Sequence, residues 1–142
     1  MAIRQISVYL ENQNGSLEGA LEVLYKAGVD LRAMALADTQ KFGMLRLIVR
    51  GTDKACEALR AAGYVLADNA VVAVEIPDEP GGLYHVVQLL SKEGIGVEYS
   101  YAFLLPHAGQ VCVVLRVEDN AKAEAILEKA GIVTLYPGNK YE

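Results

Sequence analysis

Slid against itself by 66 positions, the chain matches itself: Val8 falls on Val74, Gly15 on Gly81, Leu17 on Leu83, Leu24 on Leu90 and Gly28 on Gly94. The register continues through Gly43 on Gly109, Arg50 on Arg116 and Asp53 on Asp119. A two-residue insertion then moves it to 68, laying Leu59 on Leu127, Ala62 on Ala130 and Gly63 on Gly131. Several matched residues are glycines, which turns use for backbone conformations that other residues avoid. Such a period means two copies of one small module. At 142 residues there is room for both copies and for no large enzymatic domain beside them.

Hydrophobic periodicity reads the same way in each copy. Ile6, Val8 and Leu10 alternate with Ser7, Tyr9 and Glu11, and Val72, Val74 and Ile76 repeat the pattern of a half-buried strand. A turn follows in each, Asn12-Gln13-Asn14-Gly15-Ser16 or Asp78-Glu79-Pro80-Gly81-Gly82. Next come helix spacings, Leu17, Ala20, Leu21, Leu24 and Leu83, Val86, Val87, Leu90, stopped by Gly28 and Gly94. An extended pair turns near Phe42-Gly43 or Ala108-Gly109. Asp53 and Asp119 suit the start of a second helix, whose stripe is Ala55, Ala58, Leu59, Ala62 or Ala123, Ile126, Leu127, Ala130, ahead of a short last strand. The order β-α-β-β-α-β, twice over, predicts an α+β protein of two ferredoxin-like modules with antiparallel sheets, packed as a tandem pair. The expected domains are 1–68 and 69–142.

Composition narrows the function. Hydrophobic residues at 53% against 22% charged describe a globular chain with more apolar material than two small cores absorb, so a homodimer is expected. Eighteen acidic and thirteen basic residues give a net charge of -5, which disfavours nucleic acid and anionic lipid. The longest stretch free of charge, Tyr99 to Leu115, is broken by Pro106-His107-Ala108-Gly109, so no membrane span is expected. Cys56 and Cys112 lack CxxC spacing and read as small buried hydrophobes, which suits a cytoplasmic protein. His85 and His107 stand apart from any carboxylate pattern, and Gly81-Gly82 belongs to neither GxGxxG nor a GK[ST] triplet. Neither a catalytic residue, nor a metal site, nor a cofactor is expected. Glu98 and Tyr101 have the residue types of an acid and a base, without a constellation to support an enzyme.

Two turns remain conspicuous, each delivering a strand end onto a helix start with small residues and an amide or carboxylate. Backbone N–H groups there lack intrahelical partners and can accept an α-carboxylate, helped by the helix dipole. Asn12 or Asp78 can accept the α-ammonium, Asp78 more strongly because it is charged. Gly15, Gly81 and Gly82 allow close approach, while Asn14 and Pro80 can equally do no more than start the helices.

These residues carry a resemblance. Asn12-Gln13-Asn14-Gly15-Ser16-Leu17 and Asp78-Glu79-Pro80-Gly81-Gly82-Leu83, each followed by a Gly-hydrophobic-x-hydrophobic strand opening, Gly28-Val29-Asp30-Leu31 and Gly94-Ile95-Gly96-Val97, make the whole chain resemble a tandem pair of ACT domains. The chain looks like a tandem-ACT protein with no enzymatic domain attached. Asn14 stands where the family pattern has the proline that the second copy keeps as Pro80. The resemblance implies an amino-acid-binding regulatory protein. Its ligand would lie between modules, against Asn12, Asn14, Gly15, Ser16 and Leu17 with Val29, Asp30 and Leu31, and against Asp78, Pro80, Gly81, Gly82 and Leu83 with Ile95, Gly96 and Val97. Beside these, Tyr99 and Tyr101 share one strand face and Glu98 the other. They can line a ligand or simply build a strand, and their counterparts are Ala33 and Ala35. The alternative is a ligand-free interaction module of the same fold, acting as a regulatory subunit on an enzyme or other protein.

Overall fold

The computed structural model describes residues 2–11, 13–38 and 42–142, which divide into two compact units built on Arg4–Asn69 and on Ala70–Tyr141. The elements run β1 (Ile3–Glu11), α1 (Ser16–Lys26), β2 (Asp30–Asp38), β3 (Phe42–Arg50), α2 (Thr52–Ala61), β4 (Val65–Pro77), α3 (Gly82–Lys92), β5 (Tyr99–Ala102), β6 (Gln110–Arg116), α4 (Asn120–Lys129) and β7 (Val133–Thr134). Each unit therefore has the order β-α-β-β-α-β, with β4 ending one and beginning the other. In the first unit β3 pairs antiparallel with β1 and β2. In the second, β6 pairs antiparallel with β4 and β5, and β7 pairs with β4.

Apolar side chains at helix and strand spacing build one core per unit. Ile6, Val8 and Leu10 of β1 meet Leu24 of α1 and Leu59 of α2; Val72, Val74 and Ile76 of β4 meet Leu90 of α3 and Leu127 of α4. Truncating a fully buried leucine such as Leu24 or Leu127 to alanine costs about 2–5 kcal/mol. Two bonds at the helix ends repeat. Gly28 donates to the Tyr25 carbonyl at 2.9 Å and Val29 to Leu24 at 2.9 Å, as Gly94 does to Ser91 at 3.0 Å and Ile95 to Leu90 at 2.9 Å. Both glycines take positive φ, 67° and 75°, as a glycine-terminated helix end requires.

Some local expectations are met and others corrected. Asp53 does lie at the start of α2, in its first turn, while Gly51, at φ 81°, holds the N-cap without a side-chain cap. Asp119 does cap α4, its Oδ1 accepting from the Lys122 amide at 3.0 Å. Phe42 and Gly43 are already strand, pairing with Glu11 and Leu10; the turn before them falls outside the described residues. The second face of β1 is open only at Tyr9 and Glu11, because Gln5 and Ser7 are buried and the Gln5 amide donates to Ser7 Oγ at 3.3 Å. The first copy's last strand is long, thirteen residues, since β4 runs straight through 68–69.

The candidate site at the first helix start

The two loops are built alike. Gln13 N donates to Glu11 O at 2.9 Å, Ser16 N to Gln13 O at 3.3 Å and Gly19 N to Gly15 O at 2.9 Å. Glu79 N to Pro77 O at 3.0 Å, Gly82 N to Glu79 O at 3.2 Å and His85 N to Gly81 O at 3.0 Å repeat the set. Gly15 and Gly81 hold the N-cap at φ 87° and 89°, a left-handed conformation that glycine adopts at no steric cost, and neither helix has a side-chain cap. The amides of Leu17 and Glu18, and of Leu83 and Tyr84, therefore precede the first intrahelical bond and face outward with the positive end of the dipole.

Around this shared backbone the side chains differ. In the first unit a cavity of 540 Å³ opens among Tyr9, Leu10, Glu11, Gln13, Asn14, Gly15, Ser16, Phe42, Gly63, Tyr64 and Val65. Its walls are aromatic and its rim carries one carboxylate, Glu11, which accepts from Gln13 Nε2 at 2.8 Å. Tyr64 reaches across α1: a Cβ on Gly19 would lie 2.8 Å from the Tyr64 hydroxyl. On the other side of the loop, Ser16 and Leu17 share a 160 Å³ cleft with Leu36, Ala37 and Asp38 of β2. In the second unit Gly82 is packed hard, since a Cβ there would lie 2.6 Å from the Pro77 carbonyl, and the His85 ring stands over Gly81.

The structure brings some of the expected residues together and separates others. Asn14, Gly15 and Ser16 line the first cavity and Leu17 the cleft; Asn12 lies outside the described residues. Val29 and Leu31 pack on the first core, and Asp30 pairs with Arg32 at 3.1 Å. They sit at the far end of the unit: β2 enters opposite Arg50 and leaves opposite Gly43, which is beside Leu10. At about 3.3 Å per residue, that separates the strand opening from the loop by roughly 25 Å. The second unit repeats the separation. Asp78, Pro80, Gly81, Gly82 and Leu83 stand at the start of α3, whereas Ile95, Gly96, Val97 and Glu98 line a 770 Å³ hollow with Glu118, Asp119, Asn120 and Lys122. Tyr99 and Tyr101 are stacked, rings 6.4 Å apart, and Glu98 pairs with Arg116 at 3.5 Å.

Sequence reasoning missed Tyr9, Glu11, Phe42, Tyr64 and Val65. The available signal was the repeat itself, because Tyr64 replaces Ile132 and Phe42 replaces Ala108 at otherwise matched positions. Cys56 and Cys112 are buried and share no disulfide, and burial pushes the Cys56 thiol up. Among the described residues no group of three His, Cys, Asp or Glu gathers to hold a metal, and no helix is long and apolar enough to cross a membrane.

Comparison with known proteins adds a family. The model described as ACT domain pair matches residues 1–134. Among solved structures, protein BT0572 from Bacteroides thetaiotaomicron is similar at 33% identity, covering 100% of this chain and 97% of that one with a TM-score of 0.91. The regulatory subunit of aspartate kinase from Thermus thermophilus, in its ligand-free form, shares the fold at 16% identity, 89% and 91% coverage and a TM-score of 0.66. The corresponding subunit from Thermus flavus does so at 16%, 90% and 92%, with 0.61. No curated protein matches.

Proposed function

Because the chain belongs to the family of ACT domain pairs, whose modules are regulatory, we propose that it is a cytoplasmic, non-enzymatic sensor of a free amino acid, bound at the first helix start. The single observation that carries this reading is the 540 Å³ cavity beside the first helix start, where one carboxylate and aromatic walls converge. The α-carboxylate takes the Leu17 and Glu18 amides. The α-ammonium takes Glu11, and the side chain lies against Tyr9, Phe42 and Tyr64. Asp78 is the anion candidate at the second loop, one place after Pro77, the counterpart of Glu11.

The separation of loop and strand opening supports the homodimer. β2 is an edge strand, and two such edges pairing antiparallel set the start of one beside the end of the other. Val29, Asp30 and Leu31 of a second copy then approach the cleft of Ser16, Leu17 and Asp38, which makes a site between modules of different chains. Ferredoxin-like modules in tandem provide the frame for both halves of that site.

Thermal unfolding in the presence of each of the twenty amino acids tests the reading. One or a few are expected to raise the midpoint, by about 2.7 kcal/mol of stabilisation at a hundredfold excess over Kd. Glu11→Gln is expected to weaken that ligand by about ten- to a hundredfold, as for a lost charge-assisted hydrogen bond. If all twenty are silent at millimolar concentration, the sensor reading fails. The interaction-module reading would then gain from the β5–β6 turn, where Leu104 and Leu105 are 51% and 62% exposed.

A further inference from the structure

Beyond the 134 residues matched to the family, residues 135–141 fold back onto the second unit. After β7 the Leu135 amide makes one more bond to the sheet, to the Ala73 carbonyl at 2.8 Å, and Gly138, at φ 78°, turns the backbone. Asn139 fastens that turn, its Nδ2 donating to the Tyr136 carbonyl at 2.6 Å and its Oδ1 accepting from the Tyr141 amide at 2.8 Å. Tyr141 is thereby buried, 4% exposed. Its hydroxyl donates to Glu75 Oε2 at 2.6 Å, where Lys140 Nζ also lands at 2.7 Å. Its ring meets Phe103 edge-on at 5.7 Å and His107 at 6.0 Å. Those two residues flank the β5–β6 turn, which His107 and Gln110 close with bonds of 3.0 and 2.9 Å. The Gly109 carbonyl in that turn accepts from the Asp78 amide at 3.0 Å. Contacts thus run unbroken from the C-terminal segment to the first residue of the second loop.

The repeat gives this arrangement a meaning. Glu75 occupies the position of Tyr9, and Val133, its pairing partner, the position of Val65. Tyr9 and Val65 line the open cavity of the first unit and are 47% and 67% exposed. The Glu75 side chain is only 14% exposed, held by Tyr141 and Lys140. The first copy has no equivalent segment, since the chain there continues as β4. We infer that residues 135–141 form a strap that closes the second unit's counterpart of the first cavity, so that each chain carries one open loop site and one strapped one. The count of sites rests on the amino-acid reading above; the strap itself does not.

Hydrogen exchange on the full chain tests the strap, and dialysis against a mixture of the twenty amino acids tests the count. Tyr141→Ala is expected to speed exchange about tenfold or more at Asp78 and residues 103–110, with the first unit unchanged, and Tyr141→Phe to do so less because the ring stays. Retained amino acid is expected to rise from one equivalent per chain to two. Should Tyr141→Ala unfold the whole second unit, Glu75→Gln, which weakens the same junction without removing the ring, is read by the same exchange. Unchanged exchange at Asp78 and 103–110 overturns the strap. Faster exchange with retention still at one equivalent overturns closure of a second site. Faster exchange with nothing retained by any form supports the strap and defeats the amino-acid reading.

Discussion

Two glycines show how a single Cβ separates folding from function. At Gly82 an added Cβ meets the Pro77 carbonyl at 2.6 Å, a backbone atom that cannot step aside. Gly82→Ala is expected to destabilise the chain by about 1–3 kcal/mol, the cost of overpacking a well-filled place. At Gly19 the obstacle is the Tyr64 hydroxyl at 2.8 Å, the far end of a side chain that can swing. Alanine is also preferred to glycine in a helix by about 0.5–1 kcal/mol, which offsets the displacement. Gly19→Ala should therefore leave stability nearly unchanged while moving Tyr64 into the cavity it lines and weakening ligand. Denaturant unfolding and ligand titration of both variants check this. Equal losses of stability would mean that Tyr64 is held as rigidly as backbone.

At the scale of the elements, the strap makes a pH prediction. The Lys140 and then the Tyr141 hydrogen bonds hold the Glu75 carboxyl below its ordinary 4.5. A lowered carboxylate contributes stability above its ordinary value and loses it as pH falls through its lower folded one. Burial, and then Glu75, raise the Tyr141 hydroxyl above its ordinary 10, so that contribution is lost only as pH rises past that range. His107, Cys112 and Lys140 are the other titratable groups about this junction. The second unit is expected to weaken in acid below about 4.5. In Glu75→Gln the acid-side loss should shrink, and the alkaline one should shrink in part, since burial of Tyr141 remains; an unchanged acid limb in that variant would place the titrating group elsewhere. None of this was legible in the sequence, because residues 135–142 have no counterpart in the repeat and too few apolar positions for a period. What could be read was whatever recurs: helix ends at Gly28 and Gly94, core stripes through Leu24 and Leu90, loops about Gly15 and Gly81. The cavity walls were not legible, since Tyr9, Phe42 and Tyr64 are spread over 55 positions and meet only through strand register.

At the scale of the whole molecule, ligand and assembly are coupled if the proposed site draws its loop from one chain and its β2 opening from another. Linkage then requires reciprocity: whatever factor dimerisation adds to ligand affinity, ligand adds to dimerisation. Couplings of this kind are typically worth about 1–3 kcal/mol, or about five- to 150-fold. Leu36, half exposed near the end of β2 and lining the cleft, stands at the joint. Leu36→Lys places a charge on the edge strand and is expected to favour the monomer, as charged residues do on natural sheet edges. Sedimentation velocity across a range of concentrations, with and without the amino acid found by the thermal screen, measures both effects. The expected result is a dimer that tightens with ligand in the wild type, and a Leu36→Lys chain that is more monomeric and binds more weakly by a comparable factor. A dimer indifferent to a ligand that binds would mean that the site is complete within one chain, and that Val29 and Leu31 serve only the core on which they already pack.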